Sequence, residues 1–291
     1  MKKIAIHGRK INDTSKDEVI ELLEQLSSGG IELFLSQDFY NYNGQVLTGR
    51  ELAIYHPANY LPIFDAFISI GGDGTFLETL THVGALETPI LGVNTGRLGF
   101  LASIARDQIA SAVHNLLVGN YTLEKRSLVS LKTNLPLFGN ANYALNEFSI
   151  LRKDSSAMIV IKSYLNGAFL NSYWADGLMV ATPTGSTGYS LSCGGPILLP
   201  QNKNFVITPV SPHNLNIRPL IVPDSSELKF EVESRTNNFL ISLDSRSHPV
   251  DESISLNIQK SPFNANLIKV AGVSFIETLR NKLSWGLDKR N

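Results

Sequence analysis

The sequence predicts two domains, an N-terminal α/β domain and a mostly antiparallel β domain, followed by a C-terminal helix. Three observations predict this fold class. Up to about residue 122, short apolar runs alternate with helical patterns, which is typical of a parallel sheet covered by helices. Residues 123–268 contain short β-rich runs separated by turn-forming residues, which is typical of an antiparallel sheet. Residues 269–291 repeat apolar side chains at helical spacing.

In the first domain, four apolar runs predict strands, and three segments with apolar residues at helical spacing predict helices between them. The predicted strands are Ile4–Ile6, Ile31–Leu35, Ala66–Ile70 and Ile90–Val93. The predicted helices cover Val19–Leu26, Thr75–Val83 and Ile109–Leu117. Residues 40–60 are polar and rich in turn-forming residues, so we expect a loop there, near the site.

In the second domain, Gly, Pro, Asn and Ser separate eight β-rich runs, which predict its strands. These runs are Leu128–Lys132, Tyr143–Leu151, Met158–Tyr164, Leu178–Ala181, Phe205–Thr208, Glu227–Val232, Phe239–Leu243 and Ile254–Ile258. The closing segment Val273–Leu287 carries an apolar stripe of Ile276, Leu279, Leu283 and Leu287. A lone helix cannot bury such a stripe, so we expect this helix to dock on the first domain.

Composition and charge exclude several classes of protein. The 291 residues are 43% hydrophobic with a net charge of −1, which is globular and argues against coating nucleic acid or an anionic membrane. The single cysteine, Cys193, excludes a disulfide framework and fits a reducing compartment. The first apolar run is too short for a signal peptide, and no run is long enough to span a bilayer. We therefore expect a soluble, cytoplasmic protein with no nucleic-acid or membrane partner.

The segment Gly71-Gly72-Asp73-Gly74-Thr75 follows a predicted buried strand and opens a predicted helix. Thr75 and Glu78 have the spacing of a capping box, which predicts Thr75 as the N-cap. A helix start with neighbouring glycines suits a phosphate group, and open α/β sheets bind ligands at the carboxyl ends of their strands. From this position Asp73 could accept a proton from an attacking hydroxyl or help to hold a metal ion on donor phosphates.

Other readings of this turn are limited by what the sequence lacks. It contains neither the P-loop motif nor the Gly-x-Gly-x-x-Gly dinucleotide fingerprint after a strand. The six histidines show no metal-ligand spacing, so we predict no metal site built from side chains. Taken alone, the turn fits a structural role, with Asp73 capping the helix, as well as it fits a catalytic one.

Three further segments favour a functional role. Residues 181–192 hold seven hydroxyl side chains and two glycines in twelve residues, a composition suited to phosphate, ribose or base edges. Asn146-Glu147 interrupts the strand-like run Ala144–Ile150, either as an ordinary solvent-facing pair or to recognise sugar hydroxyls and a base edge. The stretch Gly92–Leu101 follows a strand and contains Arg97, a possible phosphate contact or a solvated surface charge.

Together these segments resemble the NAD kinase family. The family pattern is a Gly-Gly-Asp-Gly turn, an Asn-Glu or Asn-Asp pair, an Asp-Gly step and a long Thr-Pro-Thr-Gly-Ser-Thr segment, in that order. The four matching segments are Gly71–Gly74, Asn146-Glu147, Asp176-Gly177 and Thr182–Tyr189. The Leu-Gly-Phe stretch at Leu98–Phe100 and the Arg-Pro segment at Ile217–Leu220 also resemble the family. The short turn is shared with lipid kinases and phosphofructokinases, whereas the Thr-Pro-Thr-Gly segment is specific.

The resemblance implies a Rossmann-like first domain and transfer of the γ-phosphoryl group of ATP to the 2′-hydroxyl of the adenosine ribose of NAD, giving NADP. It implies Mg²⁺ or another divalent cation with ATP, a homodimer or homotetramer, and Asp73 as the catalytic proton acceptor. The substrate contacts that it implies are Gly72, Asp73, Gly74, Phe100, Asn146, Glu147, Trp174, Asp176, Thr184, Thr187, Gly188, Tyr189, Ser190, Leu191, Ser192 and Arg246.

Three positions depart from the family pattern. Gly188 replaces the usual alanine, and we expect little effect because the backbone N–H survives. Glu78 stands where relatives often carry a basic residue, which removes a phosphate contact, and Trp174 differs in the segment before Asp176. Two alternatives stay open, a lipid kinase that uses the same glycine turn and a non-catalytic NAD sensor.

Overall fold

The computed structural model describes residues 1–47, 52–59, 63–96, 98–153, 158–270 and 274–286. By its internal contacts the chain divides into two compact units. The first unit comprises residues 1–124 and 266–291, and the second comprises residues 125–265. The unit boundaries fall inside two long strands, Tyr121–Lys132 and Leu256–Val270.

The helices and strands up to residue 120 are β1 (Lys3–Gly8), α1 (Lys16–Ser28), β2 (Glu32–Ser36), α2 (Gln37–Asn43), β3 (Ala53–Tyr55), β4 (Ala66–Ile70), α3 (Asp73–Val83), β5 (Ile90–Val93) and α4 (Ile109–Leu117). Those that follow are β6 (Tyr121–Lys132), β7 (Tyr143–Ala144), β8 (Glu147–Arg152), β9 (Ile159–Leu165), β10 (Ala168–Ala175), β11 (Gly177–Ala181), α5 (Tyr189–Ser192), β12 (Asn204–Val210), β13 (Leu220–Pro223), β14 (Leu228–Glu233), β15 (Phe239–Leu243), β16 (Arg246–Val250), β17 (Leu256–Val270) and α6 (Phe275–Leu283).

The first unit is built on a parallel sheet with strand order β3-β2-β1-β4-β5, continued by the end of β17 through the pair Leu267–Ile90. All five residues of β4 are buried, as expected for a strand covered on both faces. The chain runs from β1 outward to β3 and then returns to β4 on the other side of β1. The switch point of the sheet therefore lies between β1 and β4, where open α/β sheets bind ligands.

The second unit contains two antiparallel sheets. One has the strand order β13-β12-β11-β8-β15-β16, and the other contains β10-β9-β14-β17 in that order. Phe148 of the first sheet and Phe230 of the second stack with ring centroids 6.3 Å apart, in a core that both sheets line. The predicted fold class, a parallel α/β domain with an antiparallel β domain and a C-terminal helix, is confirmed.

Two predictions about individual elements are wrong. Residues 40–60 are not simply a loop, because α2 and β3 occupy part of them and residues 48–51 and 60 lie outside the described residues. Phe39 in α2 and Tyr55 in β3 are buried, which the polar composition of residues 40–60 did not indicate. The run Tyr143–Leu151 is not one strand, since β7 ends at Ala144 and β8 begins at Glu147.

The C-terminal helix α6 belongs to the first unit, and its Phe275 ring lies 6.0 Å from that of Phe100. Ser274 caps the helix by accepting a hydrogen bond from the Glu277 N–H. Of the predicted stripe, Leu279 is buried but Ile276 is 53% exposed, and Leu287 lies outside the described residues. Within the described part of the chain, none of the helices has the length and apolar character needed to cross a membrane.

Candidate active site

The candidate residues divide between the two units. Gly72, Asp73, Gly74 and Phe100 belong to the first unit, whereas the Asn146-Glu147 pair and the other candidate residues belong to the second. Arg97 lies outside the described residues.

The glycine turn of the first unit follows β4 at the switch point of the sheet. Gly71 has φ 152°, and a Cβ there would lie 2.4 Å from the Thr75 hydroxyl, so only glycine fits. Around the Cβ positions of Gly72 and Gly74, in contrast, no atom of the described residues lies within 4 Å, apart from chain neighbours and the backbone of α3. The turn therefore offers backbone and open space in which a ligand can approach closely.

The helix that follows the turn begins earlier than the capping box predicts. Gly72 is the N-cap of α3, and its carbonyl accepts the first helical hydrogen bond, from the Phe76 N–H. Thr75 is not the N-cap because it already lies inside the helix. Glu78 does not complete a capping box, since it contacts Arg9 and His7 instead. Neither Thr75 nor Asp73 is needed to explain the helix start.

Asp73 holds a distant loop by accepting three consecutive backbone hydrogen bonds. The Phe100 N–H donates to Oδ2 at 2.9 Å, and the Leu101 and Ala102 N–H groups donate to Oδ1 at 3.0 and 3.1 Å. A Cβ on Gly99 would lie 1.9 Å from Oδ1, so the carboxylate also packs directly against the Gly99 backbone. A carboxylate has about four lone-pair sites. Among the described residues Oδ2 accepts a single hydrogen bond, so it keeps one acceptor site for a further donor.

The positively charged side chain of Arg9 lies just after the carboxyl end of β1, on the other side of the switch point. Arg9 Nη2 is 2.9 Å from Glu78 Oε2, and the buried His7 Nε2 is 3.4 Å from the same oxygen. The contact with His7 and the charge of Arg9 lower the pKa of Glu78 against the opposing effect of burial. Asn43 fixes the adjoining main chain by donating to the Arg9 carbonyl at 3.2 Å. Arg9 was not among the residues predicted from the sequence, because it lies in no local motif.

In the second unit, Asn146 lies in a break between β7 and β8, and Glu147 is the first residue of β8, so the pair does not lie inside one strand as predicted. Asp244 causes the break, because its carboxylate accepts the N–H groups of Leu145, Asn146 and Glu147 at 2.9, 2.8 and 3.2 Å. Like Asp73, Asp244 therefore accepts hydrogen bonds from three consecutive backbone N–H groups. Asp244 and Ser245 directly follow the predicted β run Phe239–Leu243, and a turn residue after a strand does not reveal which amides its side chain will bind.

The Glu147 carboxyl lies in an unusual environment. Its Oε2 is buried and has no hydrogen-bond partner among the described residues. Burial, and to a smaller extent the negative charge of Asp244, raise the pKa of Glu147 to about 7. A Cβ on Gly188 would lie 3.6 Å from this Oε2 and 3.9 Å from Asn146 Nδ2. The two polar side chains and the bare Gly188 thus border the same space.

The hydroxyl-rich segment is not an open loop, because it forms a single 3₁₀ turn at Gly185–Thr187 and the short helix α5. Several of its hydroxyls bond within the protein. The buried Arg126 donates to Thr184 Oγ1 at 3.1 Å, and Ser190 Oγ lies 2.8 Å from Thr208 Oγ1. Leu191 is half-buried, and the exposed members are Tyr189 and Ser192. Most of these hydroxyls therefore shape the turn.

Three other candidates in the second unit make local contacts. The Arg246 guanidinium donates to the carbonyl groups of Ala141 and Tyr143, so it holds the chain that leads to β7. Asp176 forms an ion pair with Arg152 at 2.8 Å. Trp174 on the edge strand β10 is 53% exposed.

Replacing Glu147 with glutamine is expected to change how stability depends on pH. The pKa of this carboxyl is about 7 in the folded chain, against 4.5 for an ordinary glutamate. The folded state therefore binds the proton more tightly, and wild-type stability falls as pH rises from about 4.5 to 7. The loss amounts to about 3 kcal/mol. Urea unfolding at pH 5 and pH 8 should show a smaller decrease for Glu147→Gln.

The matched control for this measurement is Glu252→Gln, since Glu252 is an exposed carboxylate in the same unit that accepts the Ser234 N–H. Its pH dependence should follow the wild type. The same decrease in stability for wild type and Glu147→Gln would show that Glu147 is not the group responsible.

Comparisons with known proteins cover nearly the whole chain. The family model for the ATP-NAD kinase N-terminal domain matches residues 4–121, and that for the ATP-NAD kinase C-terminal domain matches residues 145–270. An NAD kinase of Cytophaga hutchinsonii is 47% identical, covering 99% of both chains. An NAD kinase of Flavobacterium psychrophilum is 44% identical, covering 99% of this chain and 100% of the relative.

Two solved structures have the same fold. The crystal structure of yeast NADH kinase complexed with NADH superposes with a TM-score of 0.86 at 22% identity, covering 99% of this chain and 89% of the yeast chain. An NAD kinase from Archaeoglobus fulgidus in complex with ATP has a TM-score of 0.74 at 24% identity, covering 97% and 98% of the two chains.

Proposed function

Because the chain belongs to the NAD kinase family, it is a phosphotransferase that acts on NAD, and we propose that Asp73 serves transfer of the γ-phosphoryl group of ATP to the 2′-hydroxyl of the adenosine ribose. The observation that carries this proposal is the geometry of the Asp73 carboxylate. Three backbone amides fix it at the switch point of the sheet, and its Oδ2 keeps one free acceptor site.

In the proposed reaction the 2′-hydroxyl donates a hydrogen bond to Asp73. The ribose oxygen attacks the γ-phosphorus, the bond from that phosphorus to the β-phosphate oxygen breaks, and ADP leaves with the bonding electrons. The hydroxyl proton passes to the carboxylate as the new bond forms, giving NADP. Because the carboxylate is held before substrate arrives, no reorganisation is needed at the moment of reaction.

The first unit also suits the phosphates of the donor. The bare positions Gly72 and Gly74 leave open space beside the start of α3, where backbone N–H groups and the helix dipole favour an anion. These features support binding of a nucleoside triphosphate at this turn.

We propose a divalent cation, Mg²⁺, that arrives with ATP. Mg²⁺ takes most of its ligands from phosphates and water, with one or two carboxylates from the protein. In the described ranges, no three His, Cys, Asp or Glu side chains cluster in a way that would hold an ion by themselves. The chain fits a metal ion that is brought by the donor and held by the donor phosphates and by water. The ion would neutralise charge on the donor phosphates.

For NAD recognition we propose the second unit. Asn146 and Glu147 face the same space as Gly188, and their side chains suit ribose hydroxyls and a base edge. The remaining proposed contacts follow the family resemblance and are Phe100, Trp174, Asp176, Thr184, Thr187, Gly188, Tyr189, Ser190, Leu191, Ser192 and Arg246. Side-chain hydrogen bonds to Arg126 and Thr208 favour a supporting role for Thr184 and Ser190. Hydrogen bonds to main-chain carbonyls favour the same for Arg246.

We further propose a cytoplasmic homodimer or homotetramer. The edge strand β10 exposes Phe169 by 60% and Trp174 by 53%, and an apolar edge of this kind suits contact with a second copy. The single half-buried thiol of Cys193 suits a reducing compartment.

A direct assay tests the proposed function. Purified protein is incubated with ATP and Mg²⁺ and with either NAD or a lipid acceptor, and NADP is measured by coupled dehydrogenase reduction. We expect NADP from NAD and no lipid phosphorylation. Phosphorylation of the lipid alone would identify a lipid kinase. Binding of NAD without any NADP would identify a sensor. Either result would overturn the proposal.

A further inference from the structure

Two residues bind every hydrogen-bonding group of the main chain that carries Asn146 and Glu147. Asp244 accepts the three N–H groups of residues 145–147, and its own N–H donates to the Glu147 carbonyl at 3.0 Å. From the opposite side, Thr182 Oγ1 donates to the Leu145 carbonyl, and the Thr182 N–H donates to the Asn146 carbonyl at 2.8 Å. Three donors and three acceptors are therefore all satisfied within the protein.

The side chains of the same segment have the opposite character. The Asn146 amide makes no hydrogen bond among the described residues, and Glu147 Oε2 is buried without a partner. Buried polar groups are normally paired, so the unpaired Glu147 Oε2 on a fully paired backbone indicates a side chain kept for a ligand. In this segment hydrogen bonds hold the main chain, whereas the Asn146 amide and Glu147 Oε2 have no protein partner among the described residues.

We propose that Asp244 and Thr182 are positioning residues for NAD recognition, which lock residues 145–147 from both sides so that Asn146 and Glu147 present their side chains to the dinucleotide. This inference rests on the proposed function, because it takes NAD as the ligand of the pair. It assigns no contact with substrate to either positioning residue.

The position of Asp244 explains why a carboxylate is needed there. Asp244 begins the two-residue turn between β15 and β16, with φ 53°, a conformation that aspartate tolerates in hairpins. An ionised carboxylate only accepts hydrogen bonds, so it can receive three N–H groups at once. An amide in its place directs an NH₂ group at one of those donors, so at least one of the three hydrogen bonds to residues 145–147 is lost.

Asp244 also acts on the charge of Glu147. Asp244 and Cys193 are titratable groups that interact electrostatically with Glu147, and the pKa of the Cys193 thiol is raised first by burial and further by the Glu147 charge. Of these, Asp244 supplies the negative charge that raises the pKa of Glu147 beyond the effect of burial. Removal of that charge should therefore shift the titration of Glu147 to lower pH, which a purely structural role would not do.

The first test is Asp244→Asn in the full-length protein. We expect the Kd for NAD, measured by isothermal titration calorimetry, and the KM for NAD to rise by about tenfold, as loss of a charge-assisted hydrogen bond implies. The KM for ATP should stay unchanged. In the pH dependence of kcat/KM for NAD, the transition caused by ionisation of Glu147 should move to lower pH. A variant with unchanged Kd for NAD and an unchanged pH profile overturns the proposal.

The second test, Thr182→Val, removes the hydroxyl but keeps the charge of Asp244. It should raise the Kd for NAD without moving the pH profile. This variant keeps the inference testable if Asp244→Asn does not fold, and an unchanged Kd for NAD in a folded Thr182→Val overturns the role of Thr182.

Matched controls are Asp251→Asn, an exposed carboxylate that accepts hydrogen bonds from Ser253, and Thr278→Val, a buried threonine that donates to the Ser274 carbonyl. Both should bind NAD like the wild type, and an equal loss of affinity in a control would overturn the assignment. Because calorimetry needs no turnover, wild-type binding without NADP formation would refute the proposed function and leave this inference standing.

Discussion

Asp73→Asn is expected to lower kcat for NADP formation by about 10²–10⁴-fold, the usual contribution of a positioned acid or base. The amide oxygen can still accept the Leu101 and Ala102 N–H groups, but the NH₂ group then faces the Phe100 N–H, and the residue can no longer take the proton of the 2′-hydroxyl. The KM values for NAD and ATP should change far less than kcat, because the interaction is made mainly in the transition state. Steady-state kinetics with both substrates varied measures this difference.

Two companion variants separate chemistry from structure. Asp65→Asn replaces another carboxylate of the first unit that accepts two backbone N–H groups, from Lys2 and Lys3, and it should leave kcat unchanged. Gly99→Ala keeps Asp73 but places a Cβ 1.9 Å from its Oδ1, so it should displace the carboxylate and lower kcat strongly. If Asp73→Asn retained nearly full kcat, Asp73 would be a structural residue only.

Gly185→Ala is expected to unfold or strongly destabilise the second unit, by about 3 kcal/mol or more. A Cβ on Gly185 would lie 2.0 Å from the Asn146 carbonyl oxygen, which is a backbone atom. That carbonyl cannot move without breaking its hydrogen bond to the Thr182 N–H. The variant should therefore lose affinity for NAD as well as stability, which thermal unfolding and NAD titration would show together.

The matched control is three residues away in the same turn. A Cβ on Gly188 would lie 3.2 Å from the Gly185 carbonyl oxygen, a much looser contact than the 2.0 Å at Gly185, and alanine is the usual residue at this position in the family. Gly188→Ala should therefore fold with a midpoint of unfolding close to that of the wild type. If Gly185→Ala were as stable as Gly188→Ala, close packing of the turn on Asn146 would not be required.

The wrong predictions share one cause, which is that a local pattern has more than one structural solution. Thr75 and Glu78 have the spacing of a capping box, yet the helix begins two residues before Thr75 and Glu78 contacts Arg9. The run from Tyr143 to Leu151 looks like one strand, yet a partner almost one hundred residues away breaks it at residues 145 and 146. Spacing within a segment does not reveal what the rest of the chain will place beside it.

By itself the sequence determined the fold class and the places where chemistry is concentrated. The fold class could be predicted because the spacing of apolar residues reflects which faces of a helix or strand are buried. The places of chemistry could be predicted because the glycine turn and the Thr-Pro-Thr-Gly segment are short, contiguous patterns. Only the tertiary structure decided how the functional side chains are held. Asp73 binds amides 27 to 29 residues away, and Asp244 binds amides 97 to 99 residues away. A backbone N–H is identical in every residue except proline, so no side-chain pattern marks which amides a carboxylate will bind.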